Sequence, residues 1–167
     1  MAEQSGADMA TSDGKRIELQ RRTIAEHIDA ENAHDWSRVY GTFIQDEHAF
    51  YDVVPLSTRY AGFEGVQDFY QILETAVPDF RVTVNAEYDM PGSSVREVTV
   101  SGTHQGEYCG VPPTGQLVSF ELAAFYLFRT DDAAKLLAER IYFDNETVLR
   151  QMRGEENAPI GIGLTPA

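Results

Sequence analysis

LVSFELAAFYLFRTDDAAKLLAERIYFDNETVLRQM, residues 117–152, decides the fold. Leu117 to Phe128 alternates in period two and is rich in aromatic and branched residues, which predicts a long strand with two different faces. The polar TDDAA segment turns the chain, and Lys135 to Asp144 predicts the strand that returns. In that second strand Arg140, Tyr142 and Asp144 share one face, and Glu139, Ile141 and Phe143 the other.

Upstream the pattern repeats. Phe80 to Tyr88 predicts a strand, Pro91 to Ser94 (PGSS) a turn, and Val95 to Tyr108 a second strand, before a loop containing VPPTG. A short strand is expected from Ala49 to Val54, ended by Pro55. Before and between these lie amphipathic helices. Ile17, Ile24, Ala25 and Ile28 recur at helical spacing within Lys15 to Ala33, a short helical piece follows at Trp36 to Tyr40, and Val66, Phe69, Tyr70, Leu73 and Val77 mark a helix stopped by Pro78. Helices followed by an antiparallel meander predict an α+β fold, in which a curved sheet packs on two or three N-terminal helices and encloses a pocket. The expected organisation is a flexible segment 1–14, one domain over 15–152, and a Gly- and Pro-rich tail 153–167.

The 167 residues suit a single domain. With 27 acidic against 13 basic residues the net charge is −14, which opposes binding to nucleic acid or anionic lipid. No apolar run is long enough to span a bilayer, and the small, polar first residues lack a secretory pattern, so a cytoplasmic location is predicted. Cys109 is the single cysteine, which excludes an intrachain disulfide and a thiolate zinc site. His27, His34 and His48 are scattered, and no metal site is expected.

Three places could carry chemistry. Asp144, ending the last strand, either points into the hollow as a proton acceptor or caps a helix starting near Asn145. His104, in VTVSGTHQGEY, is in phase with Val98 and Val100 and either reaches a ligand or is a satisfied core or rim residue. Asp52, in FYDVVP, either opens toward the pocket or is a solvated strand end.

Read together, YAGFEGVQDFY (60–70), VPDFRVTV (77–84), SGTHQGEYCGVPPTGQLVSF (101–120) and ERIYFDNETVLRQM (139–152) resemble the SnoaL-like polyketide cyclases of the nuclear transport factor 2-like superfamily. The resemblance implies a cone-shaped fold and cofactor-independent ring closure of a carbonyl-rich, largely apolar metabolite by intramolecular aldol or related acid/base lyase or isomerase chemistry. The family's Asp on the last strand, followed seven residues on by the Gln of a Leu-x-Gln-Leu ending, looks like Asp144 and Gln151, with Met152 in place of the last Leu. It makes Asp144 the acid/base, with His104 and Tyr142 as candidates to stabilise the developing oxyanion. Arg140, Asp52, Trp36 and Tyr126, together with Tyr142, are the candidate substrate contacts. The same scaffold also supports non-catalytic ligand binding, and Arg140 beside Asp144 and Asp52 makes an epoxide hydrolase a further alternative. Alternating Phe125, Leu127, Ile141 and Phe143 suggest an apolar outer sheet face through which two copies would pair as a homodimer.

Overall fold

The computed structural model describes residues 2–129, 131–132 and 134–155, with side chains from Ser12 onward. Helix α1 spans Ala2–Asn32, so residues 2–14, expected to form a flexible segment, continue the helix upstream. Its inward stripe is Gln20, Ile24, His27, Ala30 and Glu31, all buried. That spacing follows the helical repeat, but three of the five side chains are polar, whereas Ala25, expected to be inside, is exposed. Asp35 caps the short helix α2 (Trp36–Thr42) by accepting from the Arg38 backbone N–H at 3.2 Å.

Strand β1 (Phe50–Val53) runs into a 3-10 turn at Val54–Leu56, and β2 (Thr58–Ala61) folds back against it. Sequence reading missed β2, whose four residues are too short to show a period. Helix α3 (Gly62–Ala76) buries Val66, Phe69 and Tyr70 as its pattern predicts. The meander follows as β3 (Arg81–Met90), β4 (Ser93–Thr103), β5 (Leu117–Phe128) and β6 (Leu136–Phe143), and helix α4 (Asn145–Met152) closes the domain. The tail beyond Glu155 lies outside the described residues.

The six strands form one sheet in the order β2-β1-β6-β5-β4-β3. All neighbours are antiparallel except β1 and β6, which pair in parallel. The sheet curls over α1 and α3, α2 packs against both of these helices, and α4 packs against β5. The fold is α+β, with two buried apolar clusters between the helices and the sheet's concave face, a larger one including Ile24, Val66 and Tyr126 and a smaller one including Val77, Phe80 and Met152. Among the described residues no helix is long and apolar enough to cross a membrane.

Strand β4 stops at Thr103, short of the expected Tyr108, because the chain there turns to finish α3. The backbone N–H groups of Gln105 and Gly106 both donate to the carbonyl of Ala76, at 2.9 and 3.1 Å, satisfying one of the acceptors left over at a helix C-terminus. Gly106 permits this approach: a Cβ there would collide with the Thr75 carbonyl and sit 3.1 Å from Ala76 Cα. Since backbone on both sides must move, Gly106→Ala is expected to cost about 1–3 kcal/mol, read as a lower midpoint in urea with an unchanged slope.

Candidate active site

A cavity of about 300 Å³ lies between the concave face of the sheet and helices α3 and α4. Its wall on the sheet side is set by strand parity. Val98 and Val100 of β4, Phe120, Leu122 and Ala124 of β5, and Ile141 and Phe143 of β6 all line it. Helix α3 contributes Phe69, Leu73 and Ala76. Exposed Ile72 and Cys109 also line the cavity and mark its opening.

The polar end is a single row across three strands. Tyr51 of β1 pairs with Glu139 of β6, and Glu139 pairs with Tyr126 of β5, so all three side chains project from the concave face side by side. Opposite them, one helical turn apart on α1, stand His27 and Glu31, with Tyr70 of α3 between. Glu31, Tyr51, Tyr126 and Glu139 line the cavity, while His27 and Tyr70 stand behind them. Every one of these side chains is buried, His27 completely.

The hydrogen bonds locate the protons. Thr42 Oγ1 donates to the Val39 carbonyl at 2.6 Å, so it must accept from His27 Nδ1, 2.8 Å away. The Tyr70 hydroxyl donates to Glu31 Oε1 at 2.9 Å, so its oxygen accepts from His27 Nε2 at 3.0 Å. Both ring nitrogens therefore carry hydrogen, and His27 is an imidazolium. Nε2 also lies 3.3 Å from Glu31 Oε1 and 3.3 Å from Glu139 Oε2.

Electrostatics agree with this geometry. Burial would strip the proton from His27, but Glu31 and Glu139 more than reverse it, and the pKa is pushed up to about 10. Burial raises the Glu139 carboxyl above the usual range despite the opposing pull of His27, and the Glu31 charge adds to the rise. Tyr51 and Tyr126 are held well above their ordinary values, by burial first and then by the Glu139 charge, and so stay protonated as donors. His27, Glu31 and Glu139 place ligand atoms within 4.8 Å of one another, the one such group among the described residues. The proton network just described already occupies His27 Nε2 and Glu31.

Of the residues singled out in the sequence, Tyr126 lines the cavity and the other six do not. Asp144 is exposed and turned away. Its carboxylate accepts from the backbone N–H of Glu146 and Thr147 at 3.0 and 3.2 Å and from Thr147 Oγ1 at 2.6 Å, capping α4. The Thr147 hydroxyl, with these N–H groups, holds its pKa below the usual carboxylate range. The reason is parity: Arg140, Tyr142 and Asp144 do share a face, but it is the convex one. Replacing Asp144 by Ala should lower stability by about 1 kcal/mol, the loss of one cap, measured as a modest drop in melting temperature.

Asp52 and Arg140 lie on the same convex face. Asp52 accepts from Arg59 Nε and Nη2 at 2.7 and 2.8 Å and pairs with Arg140 Nε at 3.0 Å, so the Arg59 guanidinium and then Arg140 depress its pKa. The Asp144–Arg140–Asp52 arrangement considered for epoxide hydrolysis is thus outside the cavity. Tyr142 packs edge to face with Phe125, also outside. Ile141 and Phe143, expected on that outer surface, instead line the cavity. Trp36 sits one layer back, stacked on Phe80 at 5.9 Å and tilted against Tyr70 at 5.5 Å.

His104 is wholly buried beyond the end of β4, where Nδ1 meets Thr114 Oγ1 at 3.0 Å and Thr114 donates to the Met152 carbonyl at 2.6 Å. It ties the proline loop to α4. Gln151 makes a similar tie, exchanging two hydrogen bonds with the Ser119 backbone at 2.7 and 2.9 Å.

The fold and site together are a helix-backed sheet around an apolar hollow with a buried charged floor. The chain belongs to the SnoaL-like polyketide cyclase family, whose profile matches residues 19–152. Solved structures share the fold. AclR from Streptomyces galilaeus, a candidate hydroxylase, superposes with a TM-score of 0.70 at 21% identity, covering 86% of this chain and 87% of its own. A candidate SnoaL-like polyketide cyclase from Jannaschia sp. CCS1 gives 0.72 at 19% identity, covering 83% and 94%. A protein from Catenulispora acidiphila with a ketosteroid isomerase-like fold gives 0.65 at 16% identity, covering 80% and 93%. No curated protein sequence matches the chain.

Proposed function

We propose that the protein is an acid/base enzyme acting beside a carbonyl group of a small apolar metabolite, with Glu139 as the group that moves the proton. The observation that carries this reading is a buried carboxyl of raised pKa, facing an apolar cavity between two tyrosine donors. A carboxylate so placed is a stronger base than one in water, and low polarity nearby strengthens each hydrogen bond made to developing charge.

In the proposed reaction the substrate carbonyl oxygen accepts hydrogen bonds from Tyr51 and Tyr126. Glu139 takes a proton from the adjacent carbon, and the electron pair of that C–H bond becomes the enolate. For ring closure the enolate carbon bonds to a second carbonyl carbon of the same molecule, and the alkoxide formed recovers the proton from Glu139. No proton is gained or lost overall. His27, held as a cation by Thr42, Tyr70 and Glu31, offsets the carboxylate charge while Glu139 is ionised. The cavity's part is to hold the two carbons in a reactive approach.

The test needs no knowledge of the natural substrate. 2-Tetralone, a bicyclic ketone with acidic C–H bonds, is incubated with the protein in D₂O, and exchange is followed by NMR. Exchange well above the buffer rate, lost in Glu139→Gln and kept in Asp144→Asn, is the expected result. Exchange that survives Glu139→Gln overturns the assignment. Specific binding of the ketone without exchange would instead favour a ligand carrier.

A further inference from the structure

We infer that the ligand of this cavity is single-ended: a compact hydrocarbon of about two rings with its oxygen function confined to the end that meets Tyr51, Glu139 and Tyr126. This deepens the proposed function and rests on it for the identity of the reacting end. It also departs from the carbonyl-rich chain that the family resemblance implies.

The argument starts from what the walls can offer. Beyond the polar row and short of the opening, the sheet side includes Val98, Val100, Phe120, Leu122, Ile141 and Phe143, and its other lining residues are apolar too. Backbone groups behind them are used by strand pairing, with Val98 opposite Leu122, Val100 opposite Phe120, and Leu122 opposite Phe143. On the other side α3 presents Phe69, Leu73 and Ala76, and α4 presents Val148 and Met152, whose backbones are likewise engaged within helices. No hydrogen-bond donor therefore faces the middle of the cavity from any of these residues.

Polar atoms return only toward the opening. There Tyr60, Glu107, Tyr108 and Cys109 line the space, and the Tyr108 hydroxyl is already given to Asn145 Oδ1 at 2.7 Å. The apolar wall begins beside the polar row at Ala124 and Ile141 and extends well past it. Leu122 lies four residues along β5 from Tyr126, or about 13 Å at the usual rise per residue.

A poly-β-ketone presents a carbonyl at every second carbon. Seated here, one carbonyl would meet the tyrosines and the rest would lose their water against Val, Leu and Phe. Each such loss weakens binding by roughly tenfold or more. Size narrows the class further. A dry apolar cavity of about 150 Å³ holds one benzene ring, so 300 Å³ holds about two rings' worth of hydrocarbon and leaves the rest of a four-ring skeleton outside it.

Calorimetry on the full chain with two matched probes tests this. 2-Decalone has one carbonyl at one end, and decalin-2,6-dione adds a second at the far end of the same skeleton. The monoketone should bind about tenfold tighter or more. Val98→Thr, which keeps the shape and adds a hydroxyl to the wall, should narrow that gap by improving dione binding. Equal or tighter binding of the dione by the unaltered protein overturns the inference, as does tighter binding of a four-ring ketone than of 2-decalone. Deuterium exchange into 2-tetralone reports on the acid/base reading separately, so the preferred ligand shape and the proposed reaction can each fail alone.

Discussion

Glu139→Gln is expected to lower turnover by about 10²–10⁴-fold, the usual worth of a positioned general acid/base. The amide keeps the shape of the carboxyl and leaves Tyr51 and Tyr126 in place to donate to the substrate carbonyl. What disappears is a group able to take and return a proton, so the loss should fall on kcat rather than on ligand affinity. Asp144→Asn is the informative companion. Asparagine caps helices nearly as well as aspartate, and the side chain reaches no part of the cavity, so turnover should be unchanged. A large loss in the Asp144 variant with little in the Glu139 variant would restore the role that the family resemblance gives to Asp144.

His27→Leu should have the largest effect on stability. Leucine fills the space but leaves Glu31 and Glu139 without the cation between them. Removing one partner of a buried ionic group costs about 3–5 kcal/mol, or a fall of roughly 6–20 °C in melting temperature for a domain of this size. The variant should recover stability in acid, where the stranded Glu139 carboxylate takes up a proton, and on addition of Glu139→Gln.

The unaltered protein should show the complementary pH dependence. The His27 pKa is raised from 6.5 to about 10 by folding, so the stabilisation it supplies is complete below 6.5 and is lost as the pH climbs through about 10. Glu139, also raised, acts in the same direction, because its ionisation in the folded state is disfavoured. Melting temperature should therefore decline from neutral toward alkaline pH, and the decline should be shallower in His27→Leu. An unchanged alkaline slope in that variant would show that His27 is not the titrating group.

Most of the fold was legible because it depends on local periodicity. The third and fourth strands of the meander, Leu117–Phe128 and Leu136–Phe143, follow the alternation closely, and α3 follows its apolar spacing. The site was less legible for two reasons. Alternation shows which residues share a face but not which face is concave, so the correct grouping of Arg140, Tyr142 and Asp144 went with the wrong side of the sheet. The second reason is the parallel pairing of β1 with β6, which brings Tyr51 beside Glu139 and has no local signature. A signal did exist in the polar residues that intrude on apolar stripes. His27 and Glu31 occupy inward positions of α1, and Glu139 is in phase with Ile141 and Phe143. Buried titratable residues on otherwise apolar faces are expensive unless partnered, which marks them as a group that must meet in space.

That same junction governs when the molecule becomes competent. Hairpins within β3, β4 and β5 join neighbours in sequence and can assemble as the chain emerges from synthesis. The seam between β1 and β6 must wait until nearly the entire polypeptide exists, because closing so distant a contact comes late. A nascent chain that ends before β6 would possess its first three helices and much of its sheet, yet neither Glu139 nor a finished chamber. The cavity is therefore a property of the finished protein, acquired at the last step of its assembly.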